Sequence, residues 1–340
     1  MRRMSRRVGA HSTERGAVAI IMSVAIVFIA GFAALTIDSG QIFNERRQLQ
    51  NGADAAALAI ARDCATGNCG TYNTTAQGYL DSNANDGKSG LAAVTFPTAN
   101  SVKVTDQTLD ASGTKTTIQY QFAPVAGLTS KTVHASATAT WGAPGAFPSL
   151  PFIFSLCEWN AATNSGLGPF PTGPRMIILQ GGGTPSDCAA QAGQDRDGDT
   201  RLPGGFGWLE QSNCAAVISL QLIVQAKTGA GSPSCLNLSN LIDPLKQPVL
   251  IPVFDDFTVA GWGSCPSRCY QVKGFAAMHI TGIDVPGLKG GVVPDCKNAS
   301  SPPSSSNKCI GGWFEQFVGA GVPIGPPGSG LGVVVFSLTG

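Results

Sequence analysis

The chain has 340 residues, enough for one large domain or two ordinary ones, and 43% of them are apolar against only 13% charged, well below the roughly 25% charged of soluble domains. A formal net charge of +1 argues against a nucleic-acid partner, because phosphate binding needs a concentrated patch of Lys and Arg. With 43 Gly and 22 Pro, short strands and irregular turns are expected rather than a helical bundle.

The one dense basic cluster, Arg2, Arg3, Arg6, Arg7 and Arg15, stands directly before an apolar run, the position of a topology determinant rather than of a nucleic-acid arm. Ala17 to Ile37 runs for twenty-one residues without a charge, and as a helix it covers ~31 Å, the thickness of a hydrocarbon core. A secretory signal peptide is the competing reading, but its apolar region is only about 7–15 residues long. A retained transmembrane anchor is therefore expected. Only Arg46 and Arg47 follow closely, partly balanced by Asp38 and Glu45, so the positive-inside rule places the leader, residues 1–16, in the cytoplasm and everything after Asp38 outside.

From Gln41 to Arg62 the chain stays helix-prone. Ile42, Leu49 and Ala56 fall seven apart, and Ala53, Ala57 and Ile60 widen the same stripe, while Glu45, Arg46, Arg47, Gln48 and Gln50 are expected on the exposed face. Gly52 costs about 1 kcal/mol relative to Ala in a helix interior, so a kink is expected there. The stripe suits packing on the chain's own domain and packing on partner helices equally well.

Glu14 to Asp63, with Glu-Arg-Gly at 14–16, Asp38 closing the span and the run Gln50 to Ala57, resembles the N-terminal region of TadE/TadG-like Flp pilus-assembly proteins. The resemblance implies a pilus-biogenesis accessory protein in the cytoplasmic membrane, with its C-terminal region outside and other pilus-assembly proteins met through the N-terminal helix. Prepilin-like members of such families carry a peptidase site, with Gly before the apolar run and Glu five residues into the mature chain. Here Gly16 is followed by Ala17 to Ile21 without a glutamate, so the leader is expected to be kept. Some relatives also carry a von Willebrand A-type domain with an Asp-x-Ser-x-Ser metal motif. Asp110, Ser112 and Thr114 imitate only part of it, and Thr116 to Phe122 alternates like a strand where that fold needs a helix, so this reading is set aside.

Between Asp63 and Trp141 the sequence is rich in Thr, Ser and Asn, with period-two alternation at Val102-Val104, Thr116 to Phe122 and Val133 to Trp141. These read as strands of a small antiparallel sheet resting on the helix, with a turn at Asp110 to Gly113. Ala143 to Pro151 reads as a linker. Beyond it, Met176 to Leu179, Ala216 to Val224, Val249 to Phe254, Tyr270 to Ile280 and Gly332 to Leu338 are expected strands.

The ten cysteines, Cys64, Cys69, Cys157, Cys188, Cys214, Cys235, Cys265, Cys269, Cys296 and Cys309, all follow the apolar run, which points to disulfides in an oxidising space. Cys64 with Cys69, Cys265 with Cys269, and Cys296 with Cys309 can each close a local loop; the remaining connectivity is open. Zinc is disfavoured, since none of His11, His134 and His279 is close in sequence to a cysteine pair to complete a tetrahedral set.

Asp195, Asp197 and Asp199 space three carboxylates as a calcium loop does, but positions 200 and 206 hold Thr200 and Phe206 where an EF-hand loop needs Gly and Glu. A solvated acidic turn is the expectation, followed by a structural turn whose Phe206, Trp208 and Leu209 anchor it in the core. No Gly-x-Ser-x-Gly elbow, His-Glu-x-x-His or Walker loop occurs, so no catalytic residue is nominated.

The expected fold is α+β: a transmembrane helix at 17–37, a juxtamembrane helix with a small antiparallel sheet in 38–142, a linker at 143–151, and a mostly β, disulfide-rich domain at 152–340. The expected function is a non-enzymatic, membrane-anchored accessory component of a Tad/Flp-type pilus or related export system. No cofactor, resident metal, nucleic acid or small-molecule substrate is expected. The rival readings are an anchored calcium-dependent binding protein or adhesin, and an exported hydrolase with an unrecognised site.

Overall fold

The computed structural model describes residues 14–110, 112–167, 169–178, 188–189, 201–202, 204–209, 216–219, 223–229, 232, 234, 236–237, 242, 248–259, 261–293, 309–320, 322–325 and 330–339. The fold is α+β, and the chain divides into two compact units: residues up to 59 with 71–95 and 103–138, and residues 60–70, 96–102 and 139–340.

The first unit is organised by helix α1, Glu14–Ala65, which runs uninterrupted for 52 residues, about 78 Å. From Gly16 to Ile37 none of its side chains is buried, and Val18, Ile20, Ile21, Phe28 and Phe32 are each more than half exposed. Among the described residues this is the one helix long and apolar enough to cross a membrane. An exposed apolar surface of that length matches a bilayer core.

Beyond Asp38 the same helix changes character. Leu49, Ala53, Ala56, Ala57 and Ile60 are at most 3% exposed, as the stripe requires, and Ile42 and Leu49 pack with Ile118, Val133 and Ala135. The expected solvent face needs correcting. Arg46 and Arg47 are exposed, but Glu45, Gln48 and Gln50 are half-buried. The Asn85 N–H donates to Gln48 Oε1 at 2.8 Å, and Gln50 Nε2 donates to Asp54 Oδ1 at 2.8 Å.

Gly52, where a kink was expected, sits inside uninterrupted helix. Its role is close packing: a Cβ there would stand 3.2 Å from Leu80 Cδ2 and 3.4 Å from Leu80 Cα. Leu80 belongs to α2, Tyr72–Asn83, a helix in a stretch that composition marked as non-helical. It buries only Ala76 and Leu80, so no apolar stripe announced it; contact with α1 stabilises it instead.

Strands β1 (Ser89–Thr98) and β2 (Ser101–Thr108) follow, then the short hairpin β3 (Ile118–Gln119) and β4 (Ser130–Lys131), then β5 (His134–Gly142), which lies beside β2. The expected strand Thr116 to Phe122 is thus paired only at Ile118 and Gln119. Past Tyr120 the chain leaves the ladder and enters a 3-10 turn, Ala123–Ala126.

The second unit contains, in chain order, β6 (Ala146–Ser149), β7 (Phe152–Ser155), α3 (Leu156–Thr163), β8 (Arg175–Ile178), β9 (Cys188–Ala189), β10 (Arg201–Leu202), β11 (Phe206–Trp208), β12 (Ala216–Ser219), β13 (Ile223–Gln225), β14 (Val249–Thr258), β15 (Cys269–Val285), β16 (Leu288–Gly291), β17 (Cys309–Glu315), β18 (Phe317–Ala320) and β19 (Val333–Leu338). An eight-stranded sheet has the order β11-β7-β14-β15-β17-β8, with β13 and β16 also paired to β15. Only β7 and β14 run parallel within it. Residues 139–142 of β5 pair with β19, and β6, in the stretch read as a linker, pairs with β12.

The centre of this sheet is buried on both faces. Phe152 and Phe154 of β7 join Ile251, Val253, Met278 and Phe314 beneath Leu156, Trp159 and Ala162 of α3, whereas Ile153 packs with Phe254, Tyr270 and Phe275 on the other side. Phe206, Trp208 and Leu209 are at most 2% exposed, the anchoring role expected of them. Gly207 between them has no side chain because a Cβ would overlap the Tyr270 hydroxyl. Helix α3 went unpredicted, although Ser155 and Glu158 hold the capping-box spacing; the Ser155 hydroxyl accepts the Cys157 N–H at 3.1 Å.

Candidate functional site

The carboxylate of Asp38, one residue past the apolar span, is bonded to a distant turn. Asp38 is 4% exposed. Its Oδ1 accepts the Gln121 N–H at 2.9 Å, its Oδ2 accepts the Ala123 N–H at 2.7 Å, and the Phe122 N–H reaches both oxygens at 3.3 and 3.2 Å. These donors lie 83–85 residues away in sequence. They are the amides that a continued strand would have spent on its ladder. Burial by itself raises the Asp38 pKa, but the three backbone donors outweigh it and hold the carboxyl below its ordinary range.

A second group lies on β2, close to Glu45 and Asp54 of α1. Val102, Val104, Asp106 and Thr108 alternate into the interior of β2, which puts the Asp106 carboxyl at 0% exposure. Neither of its oxygens has a hydrogen-bond partner; the Ala135 and Asp106 backbone N–H groups face it without reaching bonding geometry. Burial, then the nearby charges of Glu45 and Asp54, push Asp106 from an ordinary 3.8 up to about 7. Glu45 is also raised, by burial and by the charge of Asp86, with the Thr108 hydroxyl opposing. Period two alone places Asp106 on the buried face, a signal that the sequence reading passed over.

The residues nominated from sequence fall in several places. Arg2, Arg3, Arg6 and Arg7 lie outside the described residues, and Arg15 is described only as backbone of α1. Asp195, Asp197 and Asp199 lie outside them as well, as do Cys214, Cys235 and Cys296; Cys188 is seen only as backbone in β9. Cys64 with Cys69 and Cys265 with Cys269 form the two local disulfides expected, and Cys157 and Cys309 are also disulfide-bonded. Among the described residues no cysteine is free and no group of His, Cys, Asp and Glu is arranged to hold a metal ion.

Asp110 to Lys115 is a self-contained turn. Asp110 Oδ1 accepts the Thr114 and Lys115 N–H groups at 2.9 and 3.0 Å, and the Ser112 hydroxyl donates to the same carboxylate. These hydrogen bonds use the oxygens that a metal would need. His134 is exposed in β5, and His279 of β15 stacks on Trp313 of β17 at 4.5 Å. In the second unit a cavity of about 480 Å³ is bounded by Cys64, Thr98, Asn100, Trp141, Ile324 and Val333 among others, and no lining residue has a free ionisable side chain.

Neither the curated proteins nor the solved structures contain a match to this chain. Residues 16–63, the stretch of α1 that carries the apolar span, Asp38, the buried stripe and Gly52, match the Tad family model of Flp pilus-assembly TadE/G-like proteins.

Proposed function

We propose that this chain is a non-enzymatic, membrane-anchored accessory component of a Tad/Flp-type pilus or a related export system. The carrying observation is that the Tad match, residues 16–63, coincides with one continuous helix whose first half exposes apolar side chains and whose second half packs on its own domain. The helix thereby serves as a tether for the folded part and as the surface that meets neighbouring pilus-assembly proteins within the membrane. Its N-terminus lies in the cytoplasm, as the five arginines ahead of the span require. The rest lies outside, in keeping with cysteines placed wholly after the span and paired in disulfides.

Deleting the gene should abolish surface pili, and re-expression of the full-length protein should restore them. Intact filaments in the deletion strain would overturn the reading. Co-purification from detergent-solubilised membranes should recover other pilus-assembly proteins, and a reporter at the C-terminus should be active only outside the cytoplasm.

A further inference from the structure

The turn between β3 and β4 carries a feature that the anchor and the pilus role do not use. Phe122-Ala-Pro-Val-Ala-Gly-Leu128 is free of charge, and at its two ends Phe122 is 45% and Leu128 60% exposed. Internal hydrogen bonds shape it: the Gly127 N–H donates to the Pro124 carbonyl at 3.0 Å, and the Leu128 N–H to the Ala123 carbonyl at 3.2 Å. Large exposed apolar side chains clustered on a small turn are uncommon on surfaces that face only water.

The turn's position is fixed by Asp38. Direct bonds from Gln121, Phe122 and Ala123 to that carboxylate hold the turn at the point where the apolar span ends. Ile37, the last residue of that span, is itself 47% exposed. Both ends of the hairpin carry a lysine, Lys115 and Lys131, and no acidic residue occurs between Asp110 and Glu158. An apolar tip with basic flanks matches the boundary where acyl chains meet lipid phosphates.

We propose that the 120–129 turn is seated in the surface of the same bilayer that α1 crosses, with Phe122 and Leu128 at the acyl–headgroup boundary and Lys131 beside the lipid phosphates. This rests on the reading of α1 as a membrane anchor. The turn is a second, shallow contact that fixes the rotation and tilt of the first unit over the membrane, which a single helix leaves free.

The test uses the full-length protein in lipid nanodiscs, with lipids brominated either near the headgroup or deep in the acyl chain as fluorescence quenchers. Four variants are compared with the parent: Phe122→Trp, Leu128→Trp, Ile29→Trp inside the span, and Tyr79→Trp on α2. Tyr79 adjoins Leu80, which meets α1 at Gly52, about 21 Å along the helix from Asp38. Shallow bromines should quench the added emission at 122 and 128 by about half, deep bromines should quench that at 29, and neither should affect that at 79. Quenching at 29 with positions 122 and 128 behaving like 79 overturns this inference and leaves the anchor standing. Failure to quench at 29 overturns the anchor, and this inference with it. Shielding of 122 and 128 from aqueous acrylamide without quenching by lipid means that protein covers the turn, which also overturns it.

Discussion

The Ala123 N–H donates to Asp38 Oδ2 at 2.7 Å, joining the residue that ends the apolar span to a turn 85 positions further along the chain. Replacing Asp38 with Asn leaves one carbonyl oxygen to serve three backbone donors. In Asp38→Asn, amide hydrogen exchange at residues 121–123 should accelerate about tenfold or more while that of β14 and β15 stays as in the parent. Unchanged protection at 121–123 would show that the turn holds its place without the carboxylate.

Acidity should loosen the same contact. The Asp38 pKa is depressed, so the unfolded chain takes up protons before the folded one does. The contribution is therefore present above the ordinary carboxylate pKa and lost as pH falls through the folded value. Protection at 121–123, measured relative to the intrinsic exchange rate at each pH, should fall as the pH is lowered through that range, and Asp38→Asn should abolish the dependence.

Asp106 responds with the opposite sign. Its folded pKa is raised from 3.8 to about 7, so between those values the folded state binds more protons than the unfolded one, and stability falls as pH rises. The stabilisation is fully present below the lower value and gone above the higher one. Asp106→Asn should flatten the decline of the first unit's stability between pH 4 and 7 and add about 1–3 kcal/mol at pH 7.5. Glu45→Gln, which removes one of the facing charges, should bring the folded Asp106 pKa down, shifting the midpoint of the decline to lower pH and shortening the window. Thermal denaturation across pH, monitored by exchange in β2 and β5, checks both; a parent curve that rises over this range would refute the assignment.

In the second unit the ring of Phe154 lies 5.7 Å from Phe152, 6.0 Å from Phe206 and 5.7 Å from Phe314. Phe154→Ala should cost about 3–5 kcal/mol through the cavity it leaves. His279→Ala, which removes a half-buried ring stacked on Trp313, should cost about 0.5–1.5 kcal/mol. Urea unfolding of the two variants should rank them in that order, and equal costs would mean that the aromatic cluster is not the core.

The Cys64–Cys69 bridge spans a sequence separation of 5. A loop that short removes little chain entropy, so the Cys64→Ser, Cys69→Ser double variant should lose about 2 kcal/mol and remain folded. Complete loss of helical circular dichroism in that variant would show that the bridge nucleates the end of α1 rather than merely securing it.

The local features were readable from sequence because their causes are local. Ala17 to Ile37 is charge-free over a length that matches a bilayer core; Leu49, Ala53 and Ala56 repeat at helical spacing; Tyr270 to Ile280 is rich enough in β-branched and aromatic residues to mark most of β15; and Cys64 and Cys69 are close enough to meet whatever surrounds them. Tertiary structure decided the rest. Helix α2 buries two residues and exists because Gly52 lets Leu80 come near; the strand expected at Thr116 to Phe122 was cut short because Asp38 took its amides; and Asp106 acquired its raised pKa from burial, to which the charges of Glu45 and Asp54 on α1 add. Periodicity reports which face of a segment is apolar, but the partner of a buried carboxylate or a surrendered backbone donor depends on which distant segment packs there, and that is settled only when the chain closes on itself.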